Sequence, residues 1–169
     1  NQNKYGYATA RAGNVIGGGD WSKNRLIPDC IKSILKNKKL MIRNTNSTRP
    51  WQHVLEPISG YLFLAKKLYK SKQKYSGNWN FGPSTRETME VKKVAKLLFE
   101  YLGVKKKITK TKGSFKETVL LKLNSDKAIK QLKWKNNWNM KKSIRETARW
   151  YRDYINKNDI RQTIIKQIE

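Results

Sequence analysis

A mainly parallel α/β fold is what this 169-residue sequence predicts. Short runs rich in β-branched and aromatic residues alternate with longer amphipathic stretches at helical spacing. Hydrophobic residues at 37% and six tryptophans place the chain among folded proteins, because disordered segments are poor in such side chains. No repeat or low-complexity linker divides it, so residues 1–169 read as a single unit.

The elements follow in order. Tyr5 to Arg11 reads as a strand of small and aromatic residues, running into a turn-rich loop from Ala12 to Trp21 that holds Gly17, Gly18 and Gly19. Pro28 fits the first turn of a helix reaching Asn37, apolar at Ile31, Ile34 and Leu35. Leu40 to Arg43 reads as a strand, 44–50 as a polar loop, and Trp51 to Val54 as a second extended piece. Pro57 starts a helix with Ile58, Tyr61, Leu62, Ala65 and Leu68 on one face. A polar turn at Ser76 leads to a strand from Trp79, stopped by Gly82-Pro83.

Thr88 caps the next helix, whose stripe is Val91, Val94, Ala95, Leu98, Tyr101 and Leu102, and Gly103 ends it. Val119 to Leu123 reads as a strand. Ser125 caps a short helix with Ala128, Ile129 and Leu132, and Asn139 caps a longer one striped by Ile144, Ala148, Tyr151 and Ile155. The polar tail after Asn156 is expected to fray. About four strands are few for a parallel sheet covered on both faces, which suggests the end portion of a larger sheet.

Composition narrows the function. The net charge of +26 would ordinarily suggest nucleic acid. Most of the basic residues are lysines scattered over polar helix faces, however, so a solvated basic surface is the favoured reading. Arg11, Arg25, Arg43 and Arg49 differ, lying together in the most patterned part of the chain, and Arg suits bidentate contact with phosphate. No apolar run approaches a membrane span, and no signal peptide opens the chain, so no membrane partner is expected. A lone Cys30 in an apolar setting reads as helix packing and suits a reducing cytoplasm.

Three local patterns invite chemistry. Gly17-Gly18-Gly19 fails the G-x-G-x-x-G spacing, with Ser22 where the last glycine would stand. Tyr101 and Lys105 have the Tyr-x-x-x-Lys spacing, but Gly103 breaks the helix turn that would stack them. His53 is the sole histidine, which excludes a His-rich metal site and leaves it as either a structural group or a substrate contact.

Consecutive blocks then carry a resemblance: Ala10 to Trp21, Arg25-Leu-Ile-Pro-Asp29, Ile42 to Pro57 with Arg-Pro-Trp-Gln-His-Val at its centre, Ser59 to Leu62, and Trp79 to Pro83. In order and spacing these resemble the C-terminal part of the NAD-dependent nucleotide-sugar dehydratases, within the extended short-chain dehydrogenase/reductase family. The likeness continues more weakly to Trp150-Tyr151. It implies the last parallel strands and helices of a Rossmann-type sheet plus a small mixed α/β substrate-binding domain. It also implies a lyase that uses NAD to oxidise C4 of the sugar, eliminate water across C5 and C6, and return the hydride to C6.

The family's cofactor loop and catalytic Tyr and Lys would precede residue 1, so no catalytic residue is expected here and the chain would need a missing N-terminal half. By resemblance the substrate is CDP-glucose or another nucleotide sugar, and the complete enzyme is a cytoplasmic homo-oligomer. Asn14 would reach the sugar or its diphosphate, Arg25, Leu26 and Ile27 would line the nucleotide cleft, and Arg49 would pair with the diphosphate. Asn80, His53 and Glu117 complete the expected substrate contacts. Arg43 reads as surface or contact, and Trp21 and Trp51 as packing or base stacking. A related epimerase, a basic nucleic-acid-binding module and a non-catalytic remnant stay open as alternatives.

Overall fold

The computed structural model describes residues 5–83, 87–111 and 123–169. The expected strand from Val119 and Glu117 itself lie essentially outside these residues. The described elements are β1 (Ala8–Ala12), β2 (Asn14–Ile16), α1 (Leu26–Leu35), β3 (Leu40–Ile42), β4 (Thr48–Arg49), β5 (Trp51–His53), α2 (Leu55–Lys70), α3 (Lys72–Tyr75), β6 (Gly77–Phe81), β7 (Met89–Glu90), α4 (Val91–Tyr101) and β8 (Ile108–Lys110). A π-helical turn (Ala128–Leu132), α5 (Met140–Ile155) and α6 (Ile160–Ile168) follow.

The strands pair two by two. β1 runs parallel to β6, β2 to β5 and β3 to β8, while β4 and β7 are antiparallel. The predicted mainly parallel α/β layout is therefore present. Parallel strands need a long crossover between them, and the helices supply it.

Two apolar cores result. One joins α1, α4 and α5 to β2, β3 and β5, with Ile31, Val94, Leu98, Ile144 and Tyr151 fully buried. The other gathers Leu64, Trp79, Phe81, Ala128, Leu132 and Trp134 between α2, β6 and the π-helical turn. Gly60 lets α2 lie directly on the Phe81 ring, because a Cβ there would collide with it. Glu56, buried in the first turn of α2, ties the two regions together. Its carboxylate accepts the backbone N–H groups of Asn137 and Trp138, each at 2.9 Å, just ahead of α5.

Several local expectations are corrected. The face expected of α2 is really two: Gly60 and Leu64 are buried, whereas Ile58, Leu62 and Tyr69 form a separate exposed stripe. Thr88 does not cap α4. The cap position is Glu90, drawn into extended conformation by its pairing with Thr48, inside what reads from sequence as a loop. Ser125 supplies only its backbone carbonyl, to Ile129, and its hydroxyl caps nothing. The tail does not fray, because Asp159 accepts from the N–H groups of Arg161 and Gln162 and starts α6. Asn139 does cap α5, through Lys142 N–H, and Gly103 ends α4 in the left-handed region. Among the described residues no helix is long and apolar enough to cross a membrane.

Candidate functional site

A cleft of about 900 Å³ is walled by β2, the start of α1, the end of β3 and the β4–β5 corner. That size suits a small organic ligand. Its position follows from strand pairing. β2 lies beside β5 in the register Asn14 to Trp51, and Asn14 N–H donates to the carbonyl of Pro50 at 3.2 Å. Asn14 and Arg49 are thereby brought to the same rim although far apart in sequence.

On the opposite wall, α1 opens without a side-chain cap. Arg25 takes an extended conformation and the helix begins at Leu26, so the positive dipole end of α1, with the Leu26 and Ile27 N–H groups ahead of its hydrogen-bond ladder, lies at the cleft. Such an end favours phosphate.

Of the expected site residues, Asn14, Arg25, Leu26, Ile27 and Arg49 line this one cleft. Arg43, Asp20 and Asp29 line it too. Arg25 is exposed and pairs with Asp20 at 3.3 Å. Burial pushes the Asp20 carboxyl up, but hydrogen bonds from Ser22 and the Arg25 guanidinium outweigh it and hold the group below the usual carboxylate value.

His53 and Asn80 stand elsewhere. His53 ends β5 only 1% exposed, with its ring 4.7 Å from that of Trp138 and Nδ1 accepting from Leu55 N–H at 3.4 Å. Burial lowers its pKa to about 4, so it is neutral at pH 7. Asn80 donates from Nδ2 to the carbonyl of Asn124 at 3.2 Å. Neither is among the cleft-lining residues. Of the two tryptophans, Trp21 meets Tyr151 edge-on at 5.5 Å, whereas Trp51 is buried with Nε1 donating to Met89 O at 3.0 Å and also lines the cleft.

The glycine loop packs in the same way. A Cβ at Gly18 would fall inside the Trp150 ring, so these glycines admit an aromatic side chain of α5 rather than a pyrophosphate. Tyr151 Oη donates to the Asp20 carbonyl at 2.6 Å, and burial together with the Asp20 charge pushes its phenol well up, which keeps it protonated. Tyr101 ends α4 and Lys105 lies beyond Gly103, so that pair forms no dyad. Cys30 is fully buried, its thiol pushed up by the same desolvation, and is inert packing. Among the described residues no group of His, Cys, Asp and Glu could hold a metal ion.

Sequence reading passed over Asp29. Its only signal was an acid in the Arg-Leu-Ile-Pro-Asp block that opens α1.

Over 160 residues, 94% of its length, the chain is 39% identical to the CDP-glucose 4,6-dehydratase of Salmonella typhimurium. The chain is a sequence relative of that dehydratase. It spans 45% of the relative's length. No protein-family profile matches it.

Solved structures agree on the fold. The UDP-glucose 4-epimerase of Thermotoga maritima superposes with a TM-score of 0.75 at 18% identity, over 88% of this chain and 47% of that one. The dTDP-glucose 4,6-dehydratase DesIV of Streptomyces venezuelae, solved with NAD and TYD bound, gives 0.73 at 16% identity, over 90% and 45%. The fold is therefore one shared with parts of these two proteins, of whose chains it spans a little under half.

Proposed function

We propose that this chain is the substrate-binding portion of a nucleotide-sugar 4,6-dehydratase acting on CDP-glucose, and that the redox step is completed by an NAD-binding polypeptide segment docked against it. One observation carries the reading: Asn14, Arg25 and Arg49 converge with the open end of α1 on a single cleft. The likeness to the Salmonella enzyme supports the CDP-glucose assignment.

Each group has a task that its chemistry suits. The guanidinium of Arg49 forms charge-assisted bonds to a diphosphate oxygen. The first-turn N–H groups of α1 accept negative charge without reorganising. Asn14, fixed by its backbone bond to Pro50, orients the sugar. Leu26 and Ile27 exclude water from the nucleoside. These residues bind and position, and hydride chemistry belongs to NAD on the docked segment. The exposed Ile58, Leu62 and Tyr69 stripe of α2 supports such docking, since large apolar patches at a surface favour a partner.

The test is calorimetric titration of the chain with CDP, and turnover of CDP-glucose with NAD, alone and with the NAD-binding half of the Salmonella relative. CDP should bind, and Arg49→Ala should weaken it by roughly ten- to a hundredfold, as expected for a lost charge-assisted bond. Turnover should require the added half. Turnover by the chain alone, or CDP affinity indifferent to Arg49→Ala, would refute the proposal.

A further inference from the structure

A carboxylate in the wall of a cleft suited to a diphosphate requires its own explanation, since it repels the phosphates. Among the described residues two such groups line this one. Asp20 is accounted for: it pairs with Arg25 and accepts Ser22 N–H at 2.9 Å.

Asp29 is different. It lies in the first turn of α1, beside Leu26 and Ile27, and Arg43 at the end of β3 is close enough for its charge to act on the carboxylate. The carboxylate also accepts the backbone N–H of Asn24. Lys32, its other cationic neighbour, spends its ammonium on the carbonyls of Trp21 at 2.7 Å and Ser22 at 3.1 Å. A carboxylate has roughly four acceptor positions, and among the described residues these neighbours fill only part of them. Burial accordingly outweighs them and pushes the Asp29 carboxyl above its usual value. An additional N–H donor from a ligand would stabilise it.

Among the pyrimidine bases an amino donor at C4 is specific to cytosine. Cytosine carries an amino group at C4, with N3 and O2 as acceptors beside it. Uracil and thymine carry a carbonyl at C4, which a carboxylate repels. We propose that Asp29 selects the base: its carboxylate accepts an N–H of the cytosine 4-amino group, while Arg43 alongside donates to the base's acceptors. Paired acceptor and donor side chains of this kind distinguish base edges by roughly five- to a hundredfold. The inference rests on the nucleotide-sugar reading above and adds the determinant of base choice to it.

The plainer role for Asp29 is to pin the turn at Asn24, which adopts the left-handed conformation at φ 62°. The two roles separate in the ratio of affinities. Asp29→Asn keeps an acceptor oxygen for Asn24 N–H but loses the charge, and should cut the preference for CDP over UDP at least tenfold. A purely structural role would weaken both nucleotides alike and leave the ratio unchanged, which overturns the inference. A ligand-side measurement avoids dependence on the variant's folding. The unaltered chain should bind the CDP analogue lacking the 4-amino group at least tenfold more weakly than CDP, and equal binding overturns the assignment. A chain that binds CDP tightly but does not prefer it to UDP sinks the Asp29 role alone. A chain that binds neither nucleotide sinks the nucleotide-sugar reading with it.

Discussion

The cleft side and the β1–β6 side of the molecule bury their apolar residues in different ways. On the cleft side, α1, α4 and α5 close over β2, β3 and β5, and the central side chains Ile31, Leu98 and Ile144 are wholly enclosed. On the other side α2 covers Trp79 and Phe81 with one face and leaves Leu62 67% and Tyr69 87% exposed on another. Tyr5 and Tyr7, at the start of the β1 segment, are exposed as well. The first region carries its own core. The second encloses Trp79 and Phe81 but leaves a face of α2 at the surface, where the proposed NAD-binding segment would dock. The candidate cleft thus lies on the more enclosed side.

The contrast can be broken most forcefully in the enclosed core. Ile144→Ala should lower stability by about 3–4 kcal/mol in urea unfolding, because the surrounding helices cannot collapse into the cavity. A loss under 1 kcal/mol would show that this core is no better packed than the other.

Acid probes the junction, where His53 meets Trp138. Its folded pKa of about 4 lies below the ordinary value of about 6.5, so between those two pH values the unfolded chain binds more protons. The stabilisation is complete above pH 6.5 and drains away as pH falls towards 4, by about 3 kcal/mol for a shift of this size. Urea midpoints measured from pH 7.5 to 4 should show this slope, and His53→Gln should flatten it. An equal slope in the variant would mean that other groups titrate.

The smallest effect is expected on the exposed face of α2. Leu62→Lys should change the stability of the chain alone by less than about 0.5 kcal/mol, as for ordinary surface substitutions. The same change should weaken association with the NAD-binding half, measured by ultracentrifugation. A large loss of stability in the chain alone would mean that the stripe is already covered.

How far the sequence foretold this depends on what kind of signal each element carries. α1, α4 and α5 were legible because three or more turns of one apolar stripe repeat at helical spacing. β2, β4, β7 and β8 were not, since each is two or three residues inside a stretch without an apolar run. By contrast β3 and β5, no longer than three residues, were marked by their apolar and aromatic side chains. α6 was missed because its polar sequence hides an Asp159 cap. α2 misled because two apolar faces merge into one broad stripe when burial is unknown.

The site shows the same division. Asn14, Arg25, Leu26, Ile27 and Arg49 fall in dense sequence blocks and meet in the cleft. Asn80 and His53 fall in equally dense blocks yet lie outside the lining, because residue type does not reveal which side of a short strand faces a cavity. Asp29 was overlooked because an acid in a first helical turn is commonplace.

The pairing of β1 with β6 bears on how the chain is made. Thr9 Oγ1 donates to Asn78 Oδ1 at 2.7 Å across a sequence separation of 69. During synthesis at roughly 5–20 residues per second, the first strand waits on the order of 4 to 14 seconds for its neighbour to leave the ribosome. Throughout that interval Tyr5, Tyr7 and the open edge of β1 are available to any passing strand. An edge left open for that long is where mispairing during synthesis would begin.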